Sequence, residues 1–280
     1  MRVWMVLPAY NEQDNVPAIL DRCRSLVADT YNLDLRILLV DDGSTDDTAK
    51  VARDWAGRLP LEVLKNSANR GLADTFKRGV IAAAKAAHPE DVIACMDADN
   101  SHLPGQLQRM LRDIGEGRDV VIASRYRRGA VIRGVPRSRR AMSWGMSLLF
   151  RAIYPIPGVR DYSCGFRAYR AALVQRALAD QGERLFAREG FACMVGFLLR
   201  LHKQGAVFGE VPIILRYDQK AGASKMAVGA TVLRTLRVLL RERLNLGEHR
   251  RPRRPARRQA RPIATPPAVG TGRLTPGHAL

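Results

Sequence analysis

Acidic residues are scarce relative to basic ones in this chain of 280 residues. It contains 27 Asp and Glu against 46 Lys and Arg, which gives a formal net charge of +19. Aromatic side chains are also few, at 6% of the residues. A positive surplus of this size indicates anionic partners, and nucleic acid, anionic lipid and phosphorylated substrates all satisfy it. The charge alone does not choose among these three.

Cysteine is sparse and forms no recognisable metal or disulfide motif. The four cysteines, Cys23, Cys95, Cys164 and Cys193, lie far apart, and no CxxC pair occurs. A zinc site is therefore disfavoured, and the five histidines show no paired spacing that would replace the thiolates. We expect reduced and mostly buried thiols, which favours a cytosolic compartment.

Long hydrophobic runs are missing. The best candidates, residues 141–154 and 227–240, contain arginines and fall short of the ~18 apolar residues that a membrane-spanning helix needs. The apolar run at residues 3–7 stops at Pro8, and it is too short for a secretory signal. We expect a cytoplasmic protein that is soluble or lies peripherally on the cytoplasmic face of a membrane.

Short apolar runs alternate with helical patterns in the N-terminal half of the chain. Strands are predicted at residues 3–7, 35–40, 61–65, 92–96 and 119–124, with helices between them. This alternation predicts an α/β fold with a mainly parallel sheet and helices on both faces. Ligands of such sheets bind beyond the carboxyl ends of the strands.

The pattern changes after residue 125. Residues 126–140 are rich in Arg and Gly and predict a mobile basic loop. Four elements are predicted after this loop: helices at residues 141–154, 166–179 and 190–204, and a strand at residues 207–215. We found no internal repeat, so residues 1–226 are expected to form one domain.

The C-terminal part divides into two segments. Residues 227–246 predict an amphipathic helix, which either packs on the body or lies on a membrane surface with its arginines toward lipid headgroups. Its expected apolar face is formed by Val232, Leu233, Leu236, Leu239 and Leu240. Residues 247–280 are dominated by Arg and Pro, and we expect a disordered tail.

Polar residues accumulate where such a fold predicts a site. Asp97-Ala98-Asp99 follows a predicted buried strand. Two carboxylates in this spacing can bind one divalent cation together with a diphosphate, because Mg²⁺ and Mn²⁺ prefer oxygen ligands. Taken alone, the pattern is also typical of a solvated turn or a helix cap.

Two other strand ends are polar as well. Asp41-Asp42-Gly43-Ser44 predicts a β-turn with a helix cap, or a carboxylate that recognises a base or ribose. The segment at residues 8–12, PAYNE, follows the first predicted strand. Alone, it is equally consistent with a simple strand end.

The three motifs occur in order and are followed by others. The full series is PAYNE at 8–12, DDGS at 41–44, NRGL at 69–72, DADNSHLP at 97–104, SRY at 124–126, SCGFR at 163–167 and GASK at 222–225. With this series the chain resembles the family 2 glycosyltransferases with the GT-A fold. Within them it resembles the dolichol-phosphate mannose synthase-like, or polyprenyl-phosphate glycosyltransferase, branch. The resemblance covers residues 3–226.

The resemblance implies a function and a set of roles. The function is inverting transfer of a hexose, with mannose favoured over glucose, from a nucleotide-diphosphate sugar such as GDP-mannose to a polyprenyl or dolichyl phosphate. The nucleotide sugar would be bound by Pro8, Tyr10, Glu12, Asp41, Asp42, Asp97 and Lys225. Mg²⁺ or Mn²⁺ would be held by Asp97, Asp99 and Ser101. The acceptor phosphate would be met by Arg125, Arg139 and Ser143, with Asp99 and Arg125 as catalytic residues.

Two positions differ from the family pattern. Gln219, followed by Lys220, stands where the family often has Arg, so Lys220 or Lys225 would have to meet the diphosphate. Asn100 replaces the usual apolar residue after the acidic motif, which leaves the donor sugar open.

Two alternatives stay open at this point. The same fold could act on a glycan, a glycolipid or a small metabolite, although the Arg-rich loop favours a phosphate acceptor at a membrane surface. Nucleic acid is not an expected partner, because the basic tail has no interleaved aromatics and no recognition motif occurs. Whether a protein partner exists is also open.

Overall fold

A computed structural model describes residues 2–186, 192–220 and 228–244, without the side chains of 228–232 and Arg241. The strands in these ranges are β1 (Arg2–Ala9), β2 (Asp34–Asp41), β3 (Leu61–Lys65), β4 (Val92–Cys95), β5 (Val120–Ser124), β6 (Val131–Arg133), β7 (Arg167–Arg170), β8 (Phe208–Pro212) and β9 (Ile214–Arg216). The α-helices are α1 (Val16–Asp29), α2 (Thr48–Arg53), α3 (Leu72–Ala86), α4 (Leu107–Gly115), α5 (Arg137–Ile153), α6 (Ala171–Gln181), α7 (Ala192–Lys203) and α8 (Val228–Leu244). None of these helices is long and apolar enough to span a bilayer.

Seven strands form one sheet in the order β3-β2-β1-β4-β7-β5-β8. The first four are parallel to one another, β5 is parallel to β8, and β7 is antiparallel to both β4 and β5. Every residue of β4 and β5 is buried, as expected for strands covered on both faces. The expectation of a mainly parallel α/β sheet is confirmed. Because β1, β2, β4 and β5 run in one direction, their carboxyl ends meet at one edge.

The prediction of a helix at residues 166–179 is wrong in its first part. Arg167–Arg170 is strand β7, and helix α6 begins only at Ala171. The strand lies in the middle of the sheet, where Cys95 is opposite Arg167. Ala168 and Tyr169 are fully buried. Four residues with an arginine at each end carry too little alternation to reveal a strand, and its neighbours in the sheet determine its conformation.

The predicted basic loop at residues 126–140 is also corrected. It contains β6, which pairs with β9 in a separate two-stranded sheet, and its last residues belong to α5. This helix begins directly after Pro136, and proline is favoured near helix starts. Arg137, Arg139 and Arg140 are therefore held on a helix. The single strand predicted at residues 207–215 divides at Ile213 into β8 and β9.

Helix α8 packs on the body through a buried carboxylate. Glu242 accepts hydrogen bonds from Arg200 (2.8 Å) and Lys203 (2.7 Å) of α7. The expected apolar face is divided: Leu233 and Leu240 are 52% and 50% exposed, whereas Leu236 packs against the core. Leu239, which also belongs to that face, is fully buried, and Thr235 and Val238 are buried beside it. The side chain of Val232 and the predicted tail lie outside the described residues.

All four cysteines are free and buried. Burial raises the pKa of Cys23, Cys164 and Cys193 to about 12. The expectation of reduced, buried thiols is confirmed.

Helix α3 lies very close to the sheet at Gly79. A Cβ there would collide with Val6 Cγ1 and lie 3.0 Å from Val40 Cγ2. We expect Gly79→Ala to lower the free energy of unfolding by about 1–3 kcal/mol through overpacking, as measured by urea denaturation. The control is Gly145→Ala in α5, where nothing lies within 4 Å; it should gain about 0.5–1 kcal/mol. A Gly79→Ala protein as stable as the wild type would contradict this packing.

Candidate active site

Asp97-Ala98-Asp99 lies at the carboxyl edge of the sheet, directly after β4. Asp99 is tied to its surroundings, and its side chain is only 14% exposed. Its Oδ1 accepts hydrogen bonds from Ser101 N (3.1 Å) and Ser101 Oγ (2.6 Å). Its Oδ2 lies 2.7 Å from Lys220 Nζ. The structure thus brings together Asp99 and Ser101, two of the predicted metal ligands, and adds a lysine beside them.

Asp97 lies in a different environment. Its side chain is 38% exposed, and its Oδ2 is 3.9 Å from Nδ1 of the buried His102. A Cβ at Gly165 would lie 3.1 Å from Asp97 Oδ1, so the absence of a side chain there keeps room for the carboxylate. Among the described residues, His102 Nδ1 has no hydrogen-bond partner. Asp97 therefore remains open to the cleft.

The two carboxylates differ in electrostatic terms. Desolvation raises the pKa of Asp97, and the charge of Asp99 adds to this effect. Asp99 is also penalised by burial, but hydrogen bonds from Lys220 and Ser101 lower its pKa below the usual range. A carboxylate pair of this kind becomes fully ionised when a cation neutralises it.

The residue after the acidic motif forms an unusual turn. Asn100 has a φ of +62°, a left-handed conformation that asparagine tolerates better than most residues. Its Nδ2 donates to Gln219 O (3.3 Å), and its own carbonyl accepts from Arg22 Nη1 (3.4 Å). Arg22 Nη2 donates to Gln219 Oε1 (2.9 Å). The two positions that differ from the family pattern, Asn100 and Gln219, are therefore in contact.

Sequence reasoning missed Arg22 completely. It lies on α1, 78 residues from Asn100 and 197 residues from Gln219 along the chain. Its position among ordinary helix residues gives no signal. Only the packing of α1 against the carboxyl edge brings its guanidinium to this place.

The first two motifs join where β1 and β2 end. Asp41 is fully buried, and its Oδ1 accepts hydrogen bonds from Ser44 N (3.0 Å) and Ser44 Oγ. Ser44 Oγ in turn accepts from Asn11 N (2.9 Å). Lys65 Nζ is 3.8 Å from Asp41 Oδ2. Asp41 therefore shapes the turn that connects the two strand ends.

Asp42 holds a neighbouring loop in place. Its Oδ1 accepts hydrogen bonds from Asn66 Nδ2 (2.8 Å) and Arg70 N (2.9 Å). Its Oδ2 accepts from Gly71 N (2.8 Å) at the start of α3. The NRGL motif at residues 69–72 is therefore explained as the partner of the acidic turn.

The predicted nucleotide residues share one edge of the sheet. Pro8 lies in β1, and Tyr10 and Glu12 follow it, all partly exposed. Asp41 and Asp42 lie beside them at the end of β2. Lys225 and the GASK motif fall outside the described residues. A nucleotide-binding role for these side chains stays a prediction.

Arg125, at the end of β5, is held by a buried carboxylate. Its Nε and Nη2 lie 2.8 Å and 2.7 Å from the two oxygens of Asp161, which is fully buried. Nη2 also donates to Ser163 Oγ (2.5 Å). Burial disfavours the charged form of Asp161. The positive charge and the hydrogen bonds of Arg125 outweigh this effect, so the pKa of Asp161 is lowered. Nη1 of the Arg125 guanidinium takes no part in these hydrogen bonds.

The other predicted acceptor residues lie on α5. Ser143 contacts the hydroxyl of Tyr126 through both its carbonyl and its Oγ, each at 2.8 Å. The Arg139 guanidinium lies 5.4 Å from the ring centre of Tyr217, and Lys220 Nζ lies 5.5 Å from the same ring. Tyr217 therefore connects α5 with the lysine at the acidic motif.

A divalent cation fits the acidic motif if a ligand completes its shell. The described part of the chain has no group of three or more His, Cys, Asp or Glu side chains placed to hold a metal ion. Asp97, Asp99 and Ser101 supply two carboxylates and a hydroxyl. Mg²⁺ and Mn²⁺ are often held by one or two carboxylates together with substrate phosphates. This donor set matches that arrangement.

Comparison with known proteins gives the family. Residues 4–178 match the family model described as glycosyl transferase family 2. The chain belongs to this family. It is a glycosyltransferase, and its sheet is that of the GT-A fold, as the motif series predicts.

Two relatives illustrate the branch of the family. The glycosyltransferase is 33% identical over 230 residues to the undecaprenyl-phosphate mannosyltransferase of Micrococcus luteus. The aligned residues cover 82% of this chain and 89% of the relative. It is 29% identical over 228 residues to the polyprenol monophosphomannose synthase of Mycolicibacterium smegmatis, which covers 81% of each.

A solved structure confirms the fold. Glucosyl-3-phosphoglycerate synthase from Mycobacterium tuberculosis, crystallised with Mn²⁺, UDP and phosphoglyceric acid, superimposes with a TM-score of 0.62 and 20% identity. The superposition covers 86% of this chain and 78% of the other. At this identity the likeness concerns the fold.

Breaking the Arg125–Asp161 pair should destabilise the protein strongly. We expect Asp161→Asn to lower the free energy of unfolding by about 3–5 kcal/mol, because a guanidinium whose side chain is only 22% exposed loses its fully buried carboxylate partner. Asp21→Asn, which breaks the exposed pair of Asp21 with Arg24, should cost less than about 1 kcal/mol. Urea denaturation of both variants measures the difference, and equal losses would contradict the structural role of Asp161.

The same pair makes a specific contribution to acid sensitivity. Since the folded-state pKa of Asp161 is lowered, its stabilisation is present above the ordinary carboxyl pKa of about 4 and is lost as pH falls through the folded-state pKa. The stability of Asp161→Asn should therefore fall less steeply in this acidic range than that of the wild type.

Proposed function

We propose that this glycosyltransferase transfers a hexose, with inversion, from a nucleotide-diphosphate sugar to a polyprenyl phosphate. The observation that carries the proposal is the common edge that holds the acidic motif, Lys220 and Arg125. This edge belongs to a chain whose relatives are named for polyprenyl phosphates. Both relatives are also named for mannose, which supports GDP-mannose as donor.

The donor is assigned to the ends of β1, β2 and β4. Pro8, Tyr10, Glu12 and Asp42 bind the base and ribose in this proposal, with the buried Asp41 beside them, and Lys225 meets the donor from the GASK motif. The hydrogen bonds of Asp41 and Asp42 to their own loops support a role in shaping the pocket walls.

Asp97, Asp99 and Ser101 hold Mg²⁺ or Mn²⁺ in this proposal. A divalent ion held there would supply positive charge to the departing diphosphate. The fold neighbours were crystallised with Mn²⁺ or with Mg²⁺, which supports either ion. Asp99 would be the catalytic carboxylate in the sense that it would hold the metal beside the leaving group.

The acceptor side needs position and charge more than a base. A lipid monophosphate is already anionic near neutral pH, so its oxygen can attack the anomeric carbon without a strong general base. Arg139 and Ser143 on α5 and Arg125 at the end of β5 hold the phosphate in line in this proposal. Such positioning and electrostatic stabilisation carry most of the rate.

A membrane surface fits the outer face of α5 and α8. These two helices pack against each other. Large apolar side chains are exposed on both: Met142, Trp144, Leu148 and Leu149 on α5, and Leu233, Leu240 and Leu244 on α8. An exposed apolar patch flanked by arginines is typical of a peripheral membrane surface, and anionic headgroups attract arginine. We therefore propose a peripheral position on the cytoplasmic face of the membrane.

Neighbouring positions on α5 support a link between this patch and the proposed acceptor site. Trp144, which is 62% exposed, follows Ser143 directly. Arg139 lies just over one helical turn before Ser143. A lipid whose phosphate meets Arg139 and Ser143 would thus have its chain beside Trp144. Tryptophan favours the membrane interface.

Removal of the Asp99 carboxylate should abolish transfer. We expect Asp99→Ala to retain its fold and to lose activity with labelled GDP-mannose, polyprenyl phosphate and Mn²⁺ or Mg²⁺. The measurement is lipid-extractable label, with UDP-glucose and UDP-N-acetylglucosamine as alternative donors. Asp21→Ala on the exposed side of α1 is the control and should be active. Near-normal turnover of Asp99→Ala would refute the metal assignment.

The same assay decides the acceptor. Label in the lipid fraction of the wild type supports polyprenyl phosphate. Absence of lipid-extractable label with every donor would count against it and favour a glycan, glycolipid or small metabolite.

The membrane proposal predicts a loss of vesicle binding. Trp144→Glu combined with Leu148→Glu should reduce cosedimentation with vesicles that contain anionic lipid by roughly tenfold, because apolar contact is replaced by like-charge repulsion. Tyr31→Glu is the matched control, since Tyr31 is 93% exposed but lies on neither α5 nor α8. Equal binding by all three proteins would exclude the α5–α8 face as the membrane surface.

A further inference from the structure

Lys220 supplies a positive charge to the acidic motif. Its Nζ lies 2.7 Å from Asp99 Oδ2, and the two side chains are 13% and 14% exposed. A lysine ammonium is a compact charge on a flexible stem of four carbons. It neutralises Asp99 at the position where the proposed function requires a divalent cation.

The segment before Lys220 is fastened to the turn after the acidic motif. A short 3₁₀ turn, Tyr217–Gln219, precedes the lysine. Arg216 N donates to Ser101 O (2.8 Å), and Leu215 forms a bridge with His102. The segment at residues 215–220 therefore runs alongside residues 100–102.

Three side chains complete this fastening, and we call them the latch: Arg22, Asn100 and Gln219. Asn100 and Arg22 donate to the carbonyl and the side-chain oxygen of Gln219, at 3.3 Å and 2.9 Å. Since Gln219 directly precedes Lys220, the latch determines where the ammonium lies. The residues that differ from the family pattern thus deliver one lysine to one carboxylate.

A cation at Asp99 must compete with this lysine. Two positive charges on one carboxylate oxygen repel each other, so an arriving Mg²⁺ or Mn²⁺ displaces the ammonium. The displaced ammonium is a suitable partner for the negative charge of a diphosphate. Binding of the metal and binding of a nucleoside diphosphate are then linked through the same side chain.

We propose that Lys220 is the resident counter-cation of Asp99, positioned by the latch, and that it makes tight metal binding dependent on a nucleoside diphosphate. The inference rests on the proposed metal role of Asp97 and Asp99. Without nucleotide, Lys220 stays paired with Asp99 and weakens the binding of the metal. With nucleotide, Lys220 moves to the diphosphate and leaves Asp99 to the metal. Lys220 is a positioning and specificity residue in this scheme.

The test measures Mn²⁺ binding directly, by electron paramagnetic resonance of free Mn²⁺ and by calorimetry on the full chain. In Lys220→Met, Mn²⁺ alone should bind about three- to tenfold more tightly, since the competitor is removed. The coupling factor is the ratio of Mn²⁺ dissociation constants without and with GDP. Such factors are typically about 5–150, and in Lys220→Met this one should fall by at least about threefold.

The controls separate charge from position. Lys220→Arg keeps a cation and should retain most of the coupling, whereas Lys85→Met removes an exposed lysine of α3 and should change nothing. Arg22→Met loosens the latch with Lys220 intact, and should shift Mn²⁺ affinity in the same direction as Lys220→Met by a smaller factor. Its matched control is Arg24→Met, an exposed arginine of the same helix that pairs with Asp21.

The outcomes distinguish this inference from the proposed function. If Asp99→Ala binds Mn²⁺ with GDP as tightly as the wild type, the metal site itself is refuted. If Asp99→Ala loses Mn²⁺ binding while Lys220→Met matches the wild type in affinity and coupling, the role of Lys220 alone is overturned. Equal effects of Arg22→Met and Arg24→Met would overturn the latch.

Discussion

Two carboxylates placed two residues apart at the end of a buried strand need a positive charge nearby. Asp99 is largely removed from water and Asp97 partly so, and their like charges oppose each other. In the structure, Lys220 supplies this positive charge to Asp99, although it lies 121 residues further along the chain. The latch residues Arg22, Asn100 and Gln219 hold that lysine in place. Much of the arrangement at the carboxyl edge follows from this one electrostatic demand.

A second ion pair, between the partly exposed Arg125 and the buried Asp161, organises the edge near the proposed acceptor residues. Arg125 and Asp161 join the end of β5 to the segment that leads into β7. Asp161 also accepts backbone hydrogen bonds from Ser163 (3.3 Å) and Cys164 (3.0 Å). This segment then reaches Gly165, which leaves space for Asp97. The Arg125–Asp161 pair is thus connected with Asp97 of the acidic motif through a short stretch of backbone.

Helix α5 connects the proposed chemistry with the proposed membrane. Its first turns carry Arg139 and Ser143, and its outer face carries Trp144 and Leu148. Helix α8 is fixed beside it because Glu242 is buried against Arg200 and Lys203. A lipid phosphate that approaches along this face would meet the polar end of α5 before the acidic motif. Along α5, the residues proposed for the lipid phosphate therefore precede the apolar residues proposed for its hydrocarbon chain.

Most of the sheet and the family were predictable from the sequence, since β1, β2, β4 and β5 are apolar runs that are followed by polar motifs. The periodicity did not reveal β7, because Arg167–Arg170 is a strand only between β4 and β5. It also misplaced the start of α5, which begins directly after Pro136. It did not show that the apolar face of α8 is divided between the body and solvent.

The sequence by itself determined which residues can carry the chemistry: the acidic pair at 97 and 99, the DDGS turn and the arginine after β5. Local patterns suffice for this, because strands, turns and motifs are contiguous in the chain. Only the tertiary structure decided which charges face each other. The contacts of Lys220 with Asp99, Arg22 with Gln219 and Arg125 with Asp161 join residues 36 to 197 positions apart. Contacts over such separations depend on how helices and loops pack at the sheet edge, which no local pattern encodes.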